Sequence, residues 1–227
     1  MDISLLQHRP KAIFFDWDAT IINPWVRIHK ALNMTLQHFN FQELTMQEVV
    51  DICVKKNEPY INEHNFPNQS RAINEYYKKI STGIPFAPQA LEYAEDVLKM
   101  AKKNDLFLAV ISNQINEILQ KDVDHLNFRQ YFDIVLGIET IEDMKPNTKM
   151  ADIAIRLMEK KLGYSINDRY KDIAFIGDSI LDVICAHNIQ STAISFGGYL
   201  KDEELAGYRY YKVQNHKDFF NHLDKIL

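Results

Sequence analysis

The 227-residue chain predicts an α/β fold, a doubly wound parallel sheet carrying a small helical domain. Three observations point to it. Short apolar runs alternate with helical stripes along most of the chain. Polar or acidic residues directly follow several of those runs. A mainly helical stretch, residues 23–82, separates the first run from the rest.

Ala12-Ile13-Phe14-Phe15 reads as the first buried strand, and Asp16-Trp17-Asp18-Ala19-Thr20 follows it as an acidic turn. Asn23-Pro24 leads outward, with Pro24 suited to the first turn of a helix in which Trp25, Ile28, Leu32, Leu36 and Phe39 recur at near-helical spacing. Further helices are expected over residues 45–55 and 70–80, giving a small bundle. Gly and Pro interrupt the periodicity in residues 83–88, the expected return linker. The sequence therefore divides into a core of residues 1–22 and 83–227 and a helical insertion of residues 23–82.

Beyond the linker, Ala90, Leu91, Ala94, Val97, Leu98 and Ala101 form a helical stripe before a strand at residues 106–111. Ile115, Ile118, Leu119 and Leu126 form the next, before a short strand at 134–136. Met150, Ile153, Ala154, Leu157 and Met158 precede a strand at 173–176, and a helix from Ile180 leads to a strand at 192–196. Such alternation favours a parallel sheet covered on both faces, with right-handed crossovers. Gly197-Gly198 reads as a turn, and the lysine pairs Lys55-Lys56 and Lys102-Lys103 as solvated helix ends.

A hydrophobic content of 46% supports a sizeable core, and the net charge of -5 gives no general attraction to nucleic acid or anionic membrane. Cys53 and Cys185 lie far apart without a ligand cluster, so they predict two reduced, mostly buried thiols rather than a disulfide or structural zinc. Residues 1–10 contain no secretory core, and no apolar run reaches membrane-spanning length. A soluble cytoplasmic protein with no nucleic-acid or membrane partner is the expectation; oligomeric state is not specified.

The polar segments at strand ends carry the chemistry. Besides the acidic turn they are Ser112-Asn113, Lys145-Pro146 and Gly177-Asp178-Ser179-Ile180-Leu181-Asp182. Open α/β sheets place ligands at the C-terminal ends of their strands. An Asp carboxylate can attack phosphorus where a cation offsets anionic repulsion, and Mg²⁺ suits an oxygen-rich site shared with phosphate. Asp178 and Asp182 stand at i and i+4, able to share a face of a helix N-terminus. Lys145 adds a mobile positive charge, and the Ser112 hydroxyl with nearby N–H groups, including that of Asn113, can bind phosphate oxygens.

At these residues the chain resembles the haloacid dehalogenase superfamily, in particular its phosphoglycolate-phosphatase-like members with a helical cap inserted after the first motif. The resemblance runs from Asp16 to Asp182. It implies a Rossmann-like core and an aspartyl-phosphate formed on Asp16, with Asp18 as general acid and then general base. It also implies Ser112, Asn113 and Lys145 around the phosphate. Magnesium would be held by the Asp16 carboxylate, the Asp18 backbone carbonyl and Asp178, with Asp182 supporting the ion or its waters. Ala19 departs from the glycine common in relatives, at a turn where Ala tolerates positive φ poorly. Dehalogenase members lack the acid at Asp18, so phosphoryl transfer is favoured over carbon–halogen cleavage. The expected activity is magnesium-dependent hydrolysis of a small phosphorylated metabolite. A sugar phosphomutase, a phospho-signalling receiver and a non-catalytic binding protein are the alternatives. Arg27, His29, Tyr60 and Arg71 of the insertion could contact substrate if they face the cleft, but surface or packing roles are expected for each.

Overall fold

A computed structural model describes residues 1–6, 8–55, 60–84 and 86–227. Strand β1 (Ala12–Phe15) is followed by helices α1 (Trp25–His38), α2 (Met46–Lys55) and α3 (Ser70–Gly83). Then come α4 (Ala94–Lys103), β2 (Phe107–Ile115), α5 (Asn116–His125), β3 (Ile134–Ile138) and α6 (Lys149–Leu162). A short α7 (Arg169–Asp172) precedes β4 (Ile173–Gly177), α8 (Ile180–Asn188), β5 (Thr192–Phe196), β6 (Tyr210–Val213) and α9 (His216–Ile226).

All six strands are parallel, in the order β3-β2-β1-β4-β5-β6. The chain winds outward in both directions from the centre, so the C-terminal ends of β1, β2 and β4 meet at the point where strand order reverses. Strand periodicity explains the two covered faces. Ile13 and Phe15 join Val97, Leu98, Leu119, Phe219 and Leu223 on one side, whereas Ala12 and Phe14 join Met150, Ala154, Val183 and Ala186 on the other.

Helix α1 packs on α2 and α3, and Leu32, Leu36, Val49, Ile61, Phe66 and Ile73 form a separate apolar cluster among them. The segments that leave and re-enter the sheet run side by side, tied by Asn23 N–H to the Gln89 carbonyl at 3.0 Å and Leu91 N–H to the Ile21 carbonyl at 2.8 Å.

Several boundaries differ from the sequence expectations. Helix α3 continues through Gly83, three residues past its expected end and one residue into the expected linker, while Ala90 and Leu91 precede helix α4 instead of belonging to its stripe. Strand β2 extends to Ile115, through Ser112-Asn113, because its later residues still pair with β3 across an irregularity. Strand β6 and helix α9 were not anticipated. Gly197 and Gly198 do form a turn, with φ of 79° and 67°. Lys56 and Pro85, within the expected lysine pair and return linker, lie outside the described residues. Cys185 is buried as expected, but Cys53 is exposed and lines a cavity. Among the described residues, no helix is long and apolar enough to cross a membrane.

Candidate active site

The alternation of β1 persists past its end. Trp17 is wholly buried in the cluster that holds Phe15, so Asp16 and Asp18 turn the other way and line a cavity between the sheet and the inserted helices. Asp16 N–H donates to the Ile176 carbonyl at 2.9 Å, fixing the start of the acidic turn against β4. Ala19 then takes the left-handed conformation at φ 57°, a backbone state more naturally occupied by glycine. Its N–H donates to the Ile22 carbonyl at 2.9 Å and closes the loop.

Asp16, Asp178 and Asp182 are buried and converge so that one oxygen from each lies within 4.8 Å of the others. Lys145 Nζ stands between two of them, 2.6 Å from Asp16 Oδ1 and 2.5 Å from Asp182 Oδ1. Three carboxylates thus face one ammonium. Burial pushes the Asp16 carboxyl up to about 7, opposed by Lys145 and reinforced by Asp182. Asp178 is raised for the same first reason, burial, with Asp16 and Asp182 adding to it. Burial acts to depress Lys145, but Asp16 and Asp182 outweigh it and hold the ammonium charged.

Asp178 and Asp182 both reach the acidic turn, as expected of the pair, but only Asp182 does so from within the helix. Asp178 lies between β4 and α8, whereas Asp182 is the third residue of α8 and Ser179 is the helix cap. Asp182 Oδ2 accepts from the Ser179 N–H at 3.0 Å and its hydroxyl at 2.6 Å, while Oδ1 is taken by Lys145. Both oxygens of Asp182 are therefore engaged within the protein. Gly177 makes room for this arrangement, since a Cβ there would stand 2.3 Å from Asp182 Cγ. Thr20 Oγ1 donates to Asp178 Oδ1 at 3.3 Å.

The Asp18 carboxylate belongs to a second network. Arg27, in the first turn of α1, sends one nitrogen to Asp18 Oδ1 at 3.0 Å and the other to Asp122 Oδ2 at 2.5 Å. Gln114 Nε2 donates to both Asp18 oxygens, at 3.1 and 3.0 Å. The Arg27 guanidinium also lies over the Phe86 ring, 4.7 Å from its centroid. Burial raises the Asp18 carboxyl, with Arg27 pulling against it.

Ser112 is buried and its hydroxyl accepts from the Gln114 N–H at 3.1 Å. The Asn113 side chain grips the backbone of Lys145, accepting from its N–H at 2.6 Å and donating to its carbonyl at 3.3 Å. Asn113 thereby fixes where the Lys145 side chain starts.

All seven residues singled out from the sequence, Asp16, Asp18, Ser112, Asn113, Lys145, Asp178 and Asp182, surround this one region. Arg27 was misjudged as a surface or packing residue: it is 5% exposed and bound to two carboxylates. Gln114 and Asp122 were missed. An Arg three residues past a linker carries no distinctive spacing, and one of its two partners, Asp122, comes from a helix far along the chain. His29 bonds to the Leu44 carbonyl, and Arg71 makes an exposed pair with Glu75, as expected; Tyr60 lines the cavity.

The chain matches the family model described as haloacid dehalogenase-like hydrolase over residues 13–196. It is 26% identical over 212 residues to the phosphoglycolate phosphatase of Aquifex aeolicus, covering 84% of this chain and 87% of that one. The pyrophosphatase PpaX of Listeria welshimeri is 22% identical over 166 residues, covering 71% and 76%. A crystal structure of a hydrolase of the same superfamily from Ehrlichia chaffeensis superposes with a TM-score of 0.66 at 20% identity, over 96% of this chain and 98% of that chain. That likeness shows the fold.

Proposed function

The chain belongs to the haloacid dehalogenase-like hydrolase family, and from that premise we propose that it is a magnesium-dependent phosphatase of small phosphorylated metabolites, working through an aspartyl-phosphate on Asp16. The relatives named for phosphoglycolate and pyrophosphate hydrolysis support a phosphoester or phosphoanhydride substrate. The observation that carries the reading is the buried convergence of Asp16, Asp178 and Lys145 beside an independently held Asp18.

The donor set fits a hard divalent ion. Three buried carboxyl groups face one ammonium, so a divalent cation would relieve the crowding of acid there, and oxygen is the ligand type magnesium prefers. Asp16 and Asp178 would hold the ion with the Asp18 backbone carbonyl, while Asp182, already committed to Lys145 and Ser179, would support it indirectly. Bound there, it would supply charge neutralisation for the phosphoryl group.

The residues divide the remaining work. Asp16 attacks phosphorus, and Lys145 keeps its carboxylate in place while offsetting charge on the phosphoryl oxygens. The Ser112 hydroxyl and the Asn113 N–H bind those oxygens from β2. Asp18 gives a proton to the leaving oxygen and later takes one from the water that releases phosphate. Residues 23–82 act as a cap that closes the cavity above the core of residues 1–22 and 83–227.

Purified protein assayed with Mg²⁺ over a panel of phosphoesters, phosphoglycolate and pyrophosphate included, should release phosphate. Asp16→Asn should lower kcat by about 10³-fold or more. Release at the parent rate by that variant would defeat the nucleophile assignment, and product analysis with sugar phosphates separates hydrolysis from mutase activity.

A further inference from the structure

The cavity above Asp16 and Asp18 has a volume of about 580 Å³, enough for a ligand much larger than a phosphate group. Its far wall is largely apolar. Ile28, Leu32, Ile52, Ile61 and Tyr77 come from the inserted helices and the segment joining them, and Ile118 faces the cavity from α5. Burial pushes the Tyr77 phenol up to about 12, so that group stays neutral there.

Among the described residues that line the cavity, the only cations are Arg27 and Lys145. Each is held between two carboxylates: Arg27 by Asp18 and Asp122, Lys145 by Asp16 and Asp182. Turning Arg27 towards a substrate anion would leave Asp122, 4% exposed, without its cation. Lys145 is set beside the nucleophile and serves the transferring phosphoryl group. A second negative charge, on the leaving group, would therefore enter an apolar space with no uncommitted positive partner among these residues. Taking a charge out of water without a partner is strongly unfavourable.

One neutral group in the lining, the Gln114 amide oxygen, lacks a protein partner. Gln114 donates its amide nitrogen to both Asp18 carboxylate oxygens and so leaves Oε1 buried without a donor. A buried acceptor of this kind is satisfied by a donor on a ligand.

We infer that the leaving group accepted by this site is uncharged, with an apolar or aromatic body that fills the cap-side wall and a hydroxyl or N–H that donates to Gln114 Oε1. The inference rests on the phosphatase reading above and narrows its substrate class.

A matched series tests it on the wild-type enzyme with Mg²⁺: benzyl phosphate, 4-(hydroxymethyl)benzyl phosphate and 4-carboxybenzyl phosphate, alongside phosphoglycolate, pyrophosphate and 4-nitrophenyl phosphate. The three benzyl esters share the reacting atoms and differ in the remote group. The expected kcat/KM for benzyl phosphate exceeds that of the carboxylate by about 100-fold, with the hydroxymethyl ester higher still. Phosphoglycolate, pyrophosphate or the carboxylate matching benzyl phosphate would overturn the substrate class while leaving the phosphatase reading intact. No phosphate release from any compound, 4-nitrophenyl phosphate included, would defeat that reading and this inference with it. Ile52→Arg, with Ile118→Lys as a second variant should the first fail to fold, should raise kcat/KM for the carboxylate by about tenfold or more. An unchanged value in a folded variant of either kind would count against the inference.

Discussion

Arg27 and Gln114 hold the Asp18 carboxylate from two sides, and this is the part of the site that residue-by-residue reading failed to see. In the proposed mechanism Asp18 must deliver a proton and so has to be aimed; one nitrogen of the Arg27 guanidinium does this while Asp122 anchors the other. Arg27→Ala should therefore lower kcat for benzyl phosphate by about 100-fold, yet lower it by less than about tenfold for 4-nitrophenyl phosphate, whose leaving group needs little protonation. Arg27→Lys should recover part of the loss. Equal losses on both esters would show that Arg27 merely supports the fold. Urea unfolding should also show a cost of about 3–5 kcal/mol for Arg27→Ala, because Asp122 stays buried without its partner. By contrast, Asp16, Asp18 and Asp178 were legible from sequence, since each closely follows an apolar strand run, whereas Lys145 was legible only through its order among the other motifs and the family resemblance.

At the level of elements, β1 and β4 were legible because four or five consecutive residues without a charged or polar side chain, buried on both faces, have few other uses in a chain of this length, whereas the short β6, with Lys212 inside it, carries no such run. Helix α9 was not, although Phe219 and Leu223 supply its buried stripe and Asn215 caps it through the Asp218 N–H at 2.9 Å. Its first residue reaches back to the turn after β1. His216, fully buried, places Nε2 2.6 Å from the Thr20 carbonyl, and since a carbonyl only accepts, Nε2 carries the hydrogen. Burial lowers this imidazole from 6.5 to about 4, with the bond to Thr20 opposing. The unfolded chain thus takes up the proton first as pH falls. The stability from neutral His216 is complete above pH 6.5 and is lost progressively towards pH 4. Between those limits the wild type should lose about 3 kcal/mol more than His216→Gln in urea unfolding. Parallel pH curves for the two proteins would contradict a buried, neutral histidine.

For the whole molecule, a parallel sheet with its order reversing at β1 gathers β1, β2 and β4 at one edge, and the inserted helices roof the place where they meet. Acidic groups concentrated there repel one another in the folded state and far less in the unfolded chain. A divalent ion that binds the folded state alone should therefore stabilise the entire protein, by about 2.7 kcal/mol at a free concentration one hundred times its Kd. Thermal unfolding with and without Mg²⁺ should show this as a rise in Tm, reversed by EDTA and reduced in Asp178→Asn. An unchanged Tm at saturating Mg²⁺ would argue against a metal held by these carboxylates. The sequence by itself determined the layered α/β architecture, the run of helices after the first strand and the polar residues that line the candidate site, because periodicity and strand-end polarity are local properties of the chain. Tertiary structure alone decided that Arg27 belongs with Asp18 and Asp122, that Asp182 is occupied by Lys145 and Ser179, and that the cavity wall is apolar. Those pairings join segments up to about a hundred residues apart, and only the packed fold sets the distances over which charges and hydrogen bonds act.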